Sequence, residues 1–233
     1  MLEQNRIRLY DPTMKTLSKA TKTTSEILAD QIRNAIISGK FPSGQALKQD
    51  VLASQFGVSK IPVREALYLL QNEGLVTFLN NRGSIVSELS TNEVDEIYTM
   101  RVALEAIALE RAIPKLTAAD FIAAESTLKL IEASDDPIEW SNLNWIFHST
   151  IYRAAQMPKL LETVSVLHNN VARYLLLYLN TMQQQEHSQQ EHWDLLEACR
   201  KGRIQQALGL LRQHLEDAKQ QTISYMTQQQ ESE

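Results

Sequence analysis

Apolar residues recur at helical spacing from Thr23 onward. In TTSEILADQIRNAIISGKFPSG they fall at Ile27, Ile32, Ile36 and Ile37, close to the three-and-four step of one helix face. Thr23 followed by Glu26 makes a capping box at the start, and Gly39 then Pro42 stop the helix. A shorter helix is predicted in LKQDVLASQF, closed by Gly57, and a third from after Ser59 to about Asn72, before Gly74. The period then changes. GLVTFLNNRGSIVSEL places β-prone residues on both sides of a tight Asn80-Asn81-Arg82-Gly83 turn, which is a hairpin signal. Three helices and a two-stranded wing make a winged helix-turn-helix; a generic small α+β unit is the other reading.

Beyond Ser90, which forms a second capping box with Glu93, strand signals cease. Consecutive amphipathic helices are expected over 91–113, 117–133, 137–156, 158–181, 186–201 and 203–228. The connectors at Pro114, Asp135-Asp136-Pro137, Pro158 and Gly202 are short, which implies antiparallel neighbours. The expected fold class is therefore mainly α. A winged helix-turn-helix at 23–90 precedes an all-α antiparallel bundle of about six helices at 91–228, with a flexible arm at 1–22 and a frayed tail at 229–233.

Composition narrows this picture. In 233 residues, 43% are hydrophobic, enough for a packed core, and only 7 Gly and 6 Pro favour helix. No run approaches the ~18 apolar residues of a membrane span, and the opening MLEQNRIRLYDP lacks the apolar stretch of a signal peptide. One cysteine, Cys199, allows no internal disulfide and fits a reducing compartment, so a cytoplasmic location away from membranes is expected. The net charge of −5 conceals an asymmetry. Residues 1–90 hold 11 Lys/Arg against 8 Asp/Glu, whereas the rest holds 12 against 20. A basic N-terminal part on an acidic partner suits nucleic-acid binding, weakly.

The local pattern LASQFGVSKIPVREALYLLQNEGLV carries that case further. Gly57 supplies a tight turn between two helices, Val58 anchors it, Ser59 suits an N-cap, and Pro62 fits only in a first helical turn. Ser59, Lys60 and Arg64 then surround the amino end of the second helix, which in a helix-turn-helix enters the major groove. Arg64 can fork onto guanine O6/N7, while Ser59 and Lys60 suit phosphate. Arg82, beside Gly83 at the wing tip, can reach the backbone or minor groove. Singly, these are ordinary solvated charges. Together they occupy the places where this fold touches DNA.

All five histidines lie beyond residue 147. A break at Lys201-Gly202 would fold EHWDLLEACRKGRIQQALGLLRQH into a hairpin. His192, ten residues before Gly202, and His214, twelve after it, would then stand almost level at ~1.5 Å per residue. In NWIFH, Asn144 and His148 are one turn apart on a third helix. Three imidazoles and an oxygen could converge there, a set suited to zinc, nickel or another borderline divalent metal. Hydrogen-bonded core histidines are the alternative. His168 falls on an apolar stripe with Leu161, Val164, Val171 and Leu175, and His187 sits in a Gln-rich, solvated segment.

Residues 24–90 resemble the DNA-binding domain of GntR-type bacterial transcription regulators, through AIISGKFPSGQAL, LASQFGVS, PVREAL and EGLV followed by RGSIV. The resemblance implies that Ser59, Lys60, Arg64 and the wing around Arg82-Gly83 meet an operator. The family usually has Arg at Lys60, and some members have a basic residue at Asp50. Residues 91–220 resemble the all-α FCD effector domain of the FadR-type branch, through EIYTMRVALEAIALERA, FHSTIYRAA and EHWDLLEACRKGRIQQALGLLRQHL. Many such domains bind a divalent metal through one Asp and three His. The corresponding residues are Asn144, which departs from Asp, and His148, His192 and His214. Arg101 and Glu105 match the family's R..LE; an internal ion pair is their default role, and a carboxylate clamp the sharper one for Arg101. Tyr152, His168, Arg173 and Tyr178 are further candidates for the effector pocket.

The expected function is a homodimeric, ligand-responsive regulator. It would bind a pseudo-palindromic operator, more often as a repressor, and respond to a small carboxylate held beside the metal. Two other readings remain: a metal-dependent hydrolase or lyase tethered by the N-terminal domain, and a pure metal sensor. The first needs a paired acid/base; no HExxH occurs, and neither Glu191 nor Glu216 has an evident partner.

Overall fold

The computed structural model describes residues 22–79, 83–178 and 182–230. The chain begins with α1 (Thr24–Ile37), α2 (Gln49–Phe56) and α3 (Lys60–Asn72), followed by an antiparallel pair, β1 (Val76–Leu79) and β2 (Gly83–Val86). Both sides of the Thr23/Glu26 capping box are made. Gly57 ends α2 with φ +67°, its N–H donating to the Ala53 and Ser54 carbonyls. That left-handed turn, which a glycine adopts without strain, sets α3 across α2. Residues 44–47 run beside β2, where the Leu47 N–H donates to the Ser84 carbonyl at 2.8 Å.

Leu28, Ile32, Ile36, Val63, Ala66, Leu67, Leu70, Leu75, Val76 and Val86 fill one core. Each large aliphatic side chain removed from water there contributes about 1.5–3 kcal/mol before entropy is counted. Ile27, expected on that inner face, is instead 47% exposed, and Leu28 takes its place. The 100° step per residue puts the latter, not the former, in line with Ile32 and Ile36. Arg33 adds a forked pair to Glu73 at 2.7 Å through both Nε and Nη2, fastening α1 to the end of α3.

Six helices follow among the described residues: α4 (Thr91–Ala112), α5 (Ala118–Ala133), α6 (Pro137–Arg153), α7 (Pro158–Tyr178), α8 (Met182–Arg200) and α9 (Ile204–Gln230). The Ser90/Glu93 capping box opens α4. Asp136 caps α6 through the Ile138 N–H, with Pro137 in the first turn, where its missing N–H costs nothing. The six helices enclose a second core that includes Tyr98, Leu109, Leu128, Phe147, Ile151, Val171, Leu195 and Leu211.

Three boundaries differ from the sequence reading. α6 stops at Arg153 because the chain turns through Gln156 at φ +61° before Pro158 starts α7. α8 begins at Met182, four residues earlier than expected, since glutamines are good helix formers despite lacking an apolar stripe. α9 reaches Gln230, past the expected onset of fraying. The arm at 1–21, the turn residues 80–82 and the last three residues lie outside the described residues.

α7 belongs to the second core and also touches α1 of the N-terminal part. Its Ala172 packs on Ile37 of α1, and the Tyr174 hydroxyl accepts from the Leu89 N–H at 3.2 Å. Asn170 lies so close to Gly74 that an added β-carbon would stand 2.9 Å from Asn170 Oδ1. Two residues earlier the same helix carries His168 into the bundle interior.

Candidate nucleic-acid interface and metal centre

On the N-terminal part, Ser59, Lys60 and Arg64 are all exposed at the amino end of α3, with Ala66, Leu67 and Leu70 turned inward. Ser59 occupies the N-cap position in extended geometry, but its hydroxyl makes no capping bond. The expected cap is therefore not formed. Lys60 pairs with the Asp50 carboxylate of α2, and both side chains remain largely exposed. Arg64 is steadied by its own helix: Nη2 donates to the Tyr68 hydroxyl at 3.2 Å, and the guanidinium lies 5.4 Å from the Tyr68 ring centre. Tyr68 in turn stacks on Phe78 of the wing, with centroids 4.8 Å apart. Sequence reading missed Tyr68, although its i, i+4 spacing from Arg64 was visible. Gly83 starts β2 at φ +81°; Arg82 lies outside the described residues.

Inside the bundle, α6, α8 and α9 bring His148, His192 and His214 together. All three are buried, and their donor atoms lie within 4.8 Å of one another. The hairpin that levels His192 with His214 turns at Gly202, with φ +64°. Ring centroids are 5.1 Å apart for His148–His192, 5.3 Å for His148–His214 and 4.8 Å for His192–His214.

Each imidazole is oriented by a polar neighbour through Nδ1. The Tyr152 hydroxyl donates to Glu105 Oε2 at 2.8 Å, so its oxygen is left to accept from His148 Nδ1 at 3.3 Å. Gln189 donates its amide to the Leu128 carbonyl at 2.9 Å, which turns its oxygen toward His192 Nδ1 at 3.5 Å. His214 Nδ1 donates to Glu191 Oε2 at 2.8 Å. With Nδ1 engaged in all three, Nε2 carries the free lone pair. His148 Nε2 and His192 Nε2 are buried without a hydrogen-bond partner. Two such orphans facing a third imidazole fit a divalent ion better than a hydrogen-bonded core.

The electrostatics agree. Burial first, then the neighbouring imidazoles, holds His148 well below the usual histidine range; burial and His214 do the same to His192. Both are neutral near pH 7, as a metal ligand must be. Burial and the adjacent Glu105 carboxylate push the Tyr152 hydroxyl well above its usual value, so it remains a donor.

Of the three histidines, His214 lines a narrow cavity of about 30 Å³, together with Tyr98, Arg101, Asn144, His168 and Gln221 among others. That is room for about two waters. Asn144 is buried one turn before His148. Arg101 is 5% exposed and donates from Nε to Glu105 Oε1 at 2.8 Å, the internal ion pair expected of it, and it lines the cavity. Burial alone would favour its neutral form, but Glu105 and Tyr98 more than offset this and keep it charged. His168 lies against Trp145 with ring centroids 5.0 Å apart and planes tilted by 33°; both its ring nitrogens are buried and unpartnered, and burial followed by Arg101 pulls it down to about 3. Tyr152 belongs with His148 rather than with the cavity lining. The side chains of Arg173 and Tyr178 lie outside the described residues. Glu191, read from sequence as unpaired, is the partner of His214. Sequence separation of 23 residues had hidden the contact.

Residues 24–86 match the family of bacterial regulatory proteins, gntR family, and residues 96–217 match the FCD domain. The chain belongs to the GntR family. It is similar to the gluconate operon transcriptional repressor of Bacillus subtilis, 34% identical over 143 residues, which cover 60% of this chain and 58% of that protein. It is also similar to the HTH-type transcriptional repressor GlaR of Escherichia coli, 30% identical over 195 residues, covering 79% and 89%. Among solved structures, E. coli McbR/YncC superposes with a TM-score of 0.74 at 25% identity, over 89% of this chain and 99% of that one. This GntR chain is a transcriptional regulator and not an enzyme, which removes the hydrolase or lyase reading. Its helix-turn-helix implies DNA binding and its FCD domain a small-molecule effector. No helix among the described residues is long and apolar enough to cross a membrane.

Proposed function

We propose that this GntR regulator is a cytoplasmic, homodimeric repressor. Its effector is a small carboxylate held beside a zinc or nickel ion in the C-terminal bundle. The observation that carries the reading is the trio of imidazoles with Nδ1 engaged and Nε2 free, one of which, His214, lines a cavity shared with the buried Arg101 cation. His148, His192 and His214 would hold the ion, with Asn144 as the oxygen donor. When bound, a divalent ion with open positions supplies Lewis acidity toward a carboxylate oxygen. Arg101 would take the carboxylate's other oxygen, and His168 would give its unpartnered nitrogens to a hydroxyl or carbonyl of the effector. Arg173 stands as a further contact. That both quoted curated relatives are repressors, one of a gluconate operon, supports the sign and the carboxylate class.

On the DNA side, two copies of α3 would enter successive major grooves of a pseudo-palindromic operator. Arg64 would read a guanine, Ser59 and Lys60 would meet phosphate, and Arg82 with Gly83 would follow the wing. Effector binding would favour a domain arrangement with lower DNA affinity, and α7, which packs in the bundle core and on α1, would be the physical link. The test is fluorescence anisotropy of a promoter fragment taken from next to the gene, titrated with metal-loaded and chelator-treated protein across a panel of small carboxylates. Release of DNA by a carboxylate only in the metal-loaded form is expected. DNA affinity indifferent to every carboxylate and to metal would overturn the reading.

A further inference from the structure

The described residues gather one more set of ligating atoms outside the three-histidine centre: His187, Glu191 and Asp217, again within 4.8 Å of one another. His187 and Glu191 are one turn apart on α8, and Asp217 lies on α9 three residues beyond His214. All three line the cavity that Arg101, Asn144 and His214 border. His187 is mostly exposed and Glu191 is partly buried, so the set marks the solvent side of that cavity.

The two oxygens of Glu191 are divided. Oε2 accepts from His214 Nδ1 at 2.8 Å, whereas Oε1 stands 3.4 Å from His187 Nε2. Asp217 accepts from the Gln213 amide through Oδ1. Among the described residues no Lys or Arg is paired with either carboxylate, while nearby cations are committed elsewhere. Lys219 is shared between Asp95 and Glu216, and Arg101 is tied to Glu105. Two carboxylates paired with no Lys or Arg, and an imidazole, therefore stand within 4.8 Å of one another.

The geometry points to a second divalent-cation site at the cavity mouth, formed by His187, Glu191 and Asp217 and joined to the inner centre through Glu191. One imidazole and two carboxylates, with the remaining positions open to water, suit zinc, manganese or cobalt. An ion there replaces the His187–Glu191 contact but leaves Glu191 Oε2 on His214. Occupancy of the mouth thus alters how strongly that carboxylate polarises an inner ligand. It also offsets the negative charge that an anionic effector must pass. This last consequence rests on the proposed inner centre, but the site itself does not.

Cobalt(II) serves as the probe, with bound metal per chain measured by equilibrium dialysis of the full chain. Wild type is expected to bind two ions. The His187→Ala/Asp217→Asn variant, altered on the solvent side, should bind one, and His148→Gln should bind one at the mouth. Glu191→Gln should weaken both by about 10–100-fold. Equal metal content in wild type and His187→Ala/Asp217→Asn would overturn the mouth site while leaving the inner centre standing. A single wild-type ion, lost in that variant but kept in His148→Gln, would support the mouth site and reject the inner one. Circular dichroism checks folding; should His148→Gln misfold, the wild-type comparison with the solvent-side variant still decides.

Discussion

The Tyr152 hydroxyl donates to Glu105 Oε2 across 2.8 Å in the bundle interior. That bond settles the direction of a short relay, because a hydroxyl spent on the carboxylate can only accept from His148. His148 is thereby set with Nδ1 protonated and Nε2 free. Tyr152→Phe removes the acceptor and leaves the ring free to take the other tautomer. Metal affinity should fall by about 10–100-fold, with the fold intact, as measured by competition with a chromogenic chelator. Unchanged affinity would mean that His148 is not oriented through this relay.

At the other end of the molecule, Tyr68 positions the candidate base-reading group. Arg64→Ala should cost ~1–3 kcal/mol at the cognate operator, and an unchanged footprint would remove its assigned role. Asp50→Asn acts in the opposite direction. It frees Lys60 from its ion pair, so binding to any duplex should tighten modestly and show a steeper salt dependence. Anisotropy titrations at several salt concentrations separate the two effects. A salt slope identical to wild type would show that Lys60 does not meet phosphate.

Much of this architecture was legible from periodicity and punctuation. α2 ended at Gly57, α7 began at Pro158 and the α8–α9 turn fell at Gly202, and the hairpin arithmetic around Gly202 placed His192 level with His214. What periodicity cannot convey is partnership between polar residues far apart in sequence. Glu105, Gln189 and Glu191 look like ordinary polar residues on helices, yet they orient the three imidazoles. Only packing brings Glu105 to Tyr152 or turns the Gln189 oxygen inward by occupying its amide with a carbonyl of α5. The Arg101–Glu105 pair was readable as an internal ion pair, but the bond that Glu105 accepts from Tyr152 was not.

The contact of α7 with the winged helix makes Gly74 sensitive. Its φ of +76° disfavours any β-carbon, and one placed there meets Asn170 Oδ1 at 2.9 Å. Gly74→Ala should destabilise the protein by about 1–3 kcal/mol, through backbone strain and displacement of Asn170. Adding Asn170→Ala should recover only the part due to contact. Urea unfolding of the single and double variants measures both. If the double variant is no more stable than Gly74→Ala alone, backbone strain accounts for the whole loss.

Acid sensitivity follows from His168. Its folded-state value is about 3, lowered first by burial and then by Arg101, against about 6.5 in an unfolded chain. Between these values the unfolded chain binds the proton and the folded chain does not. The stabilising contribution is thus fully present above about pH 6.5 and is lost as pH falls toward 3, by at most about 1.4 kcal/mol per unit. His148 and His192 are shifted in the same direction. His168→Leu should flatten this slope in metal-free protein, measured by urea unfolding from pH 4 to 8. It should also raise stability near pH 7 by removing two unpartnered nitrogens from the interior. A slope equal to wild type would place the acid response elsewhere.

Asn144 offers a sharper test of the inner centre. It is buried one helical turn before His148 and lines the cavity beside His214. An amide oxygen binds a dication less strongly than a carboxylate and leaves the ion's full charge uncompensated. An anionic effector then supplies the missing charge, so metal and effector should bind cooperatively in this chain. Asn144→Asp should tighten metal by about tenfold or more, or ~1.4 kcal/mol, and weaken that cooperativity. The same carboxylate is a liability without the ion, because it is buried beside neutral imidazoles. Metal-free Asn144→Asp should therefore melt below wild type, and the metal-loaded variant above it. Calorimetric titration with and without a small carboxylate, together with thermal unfolding of both forms, measures all three effects. Equal metal affinity in wild type and variant would remove Asn144 from the ligand set and leave the three histidines to hold the ion alone.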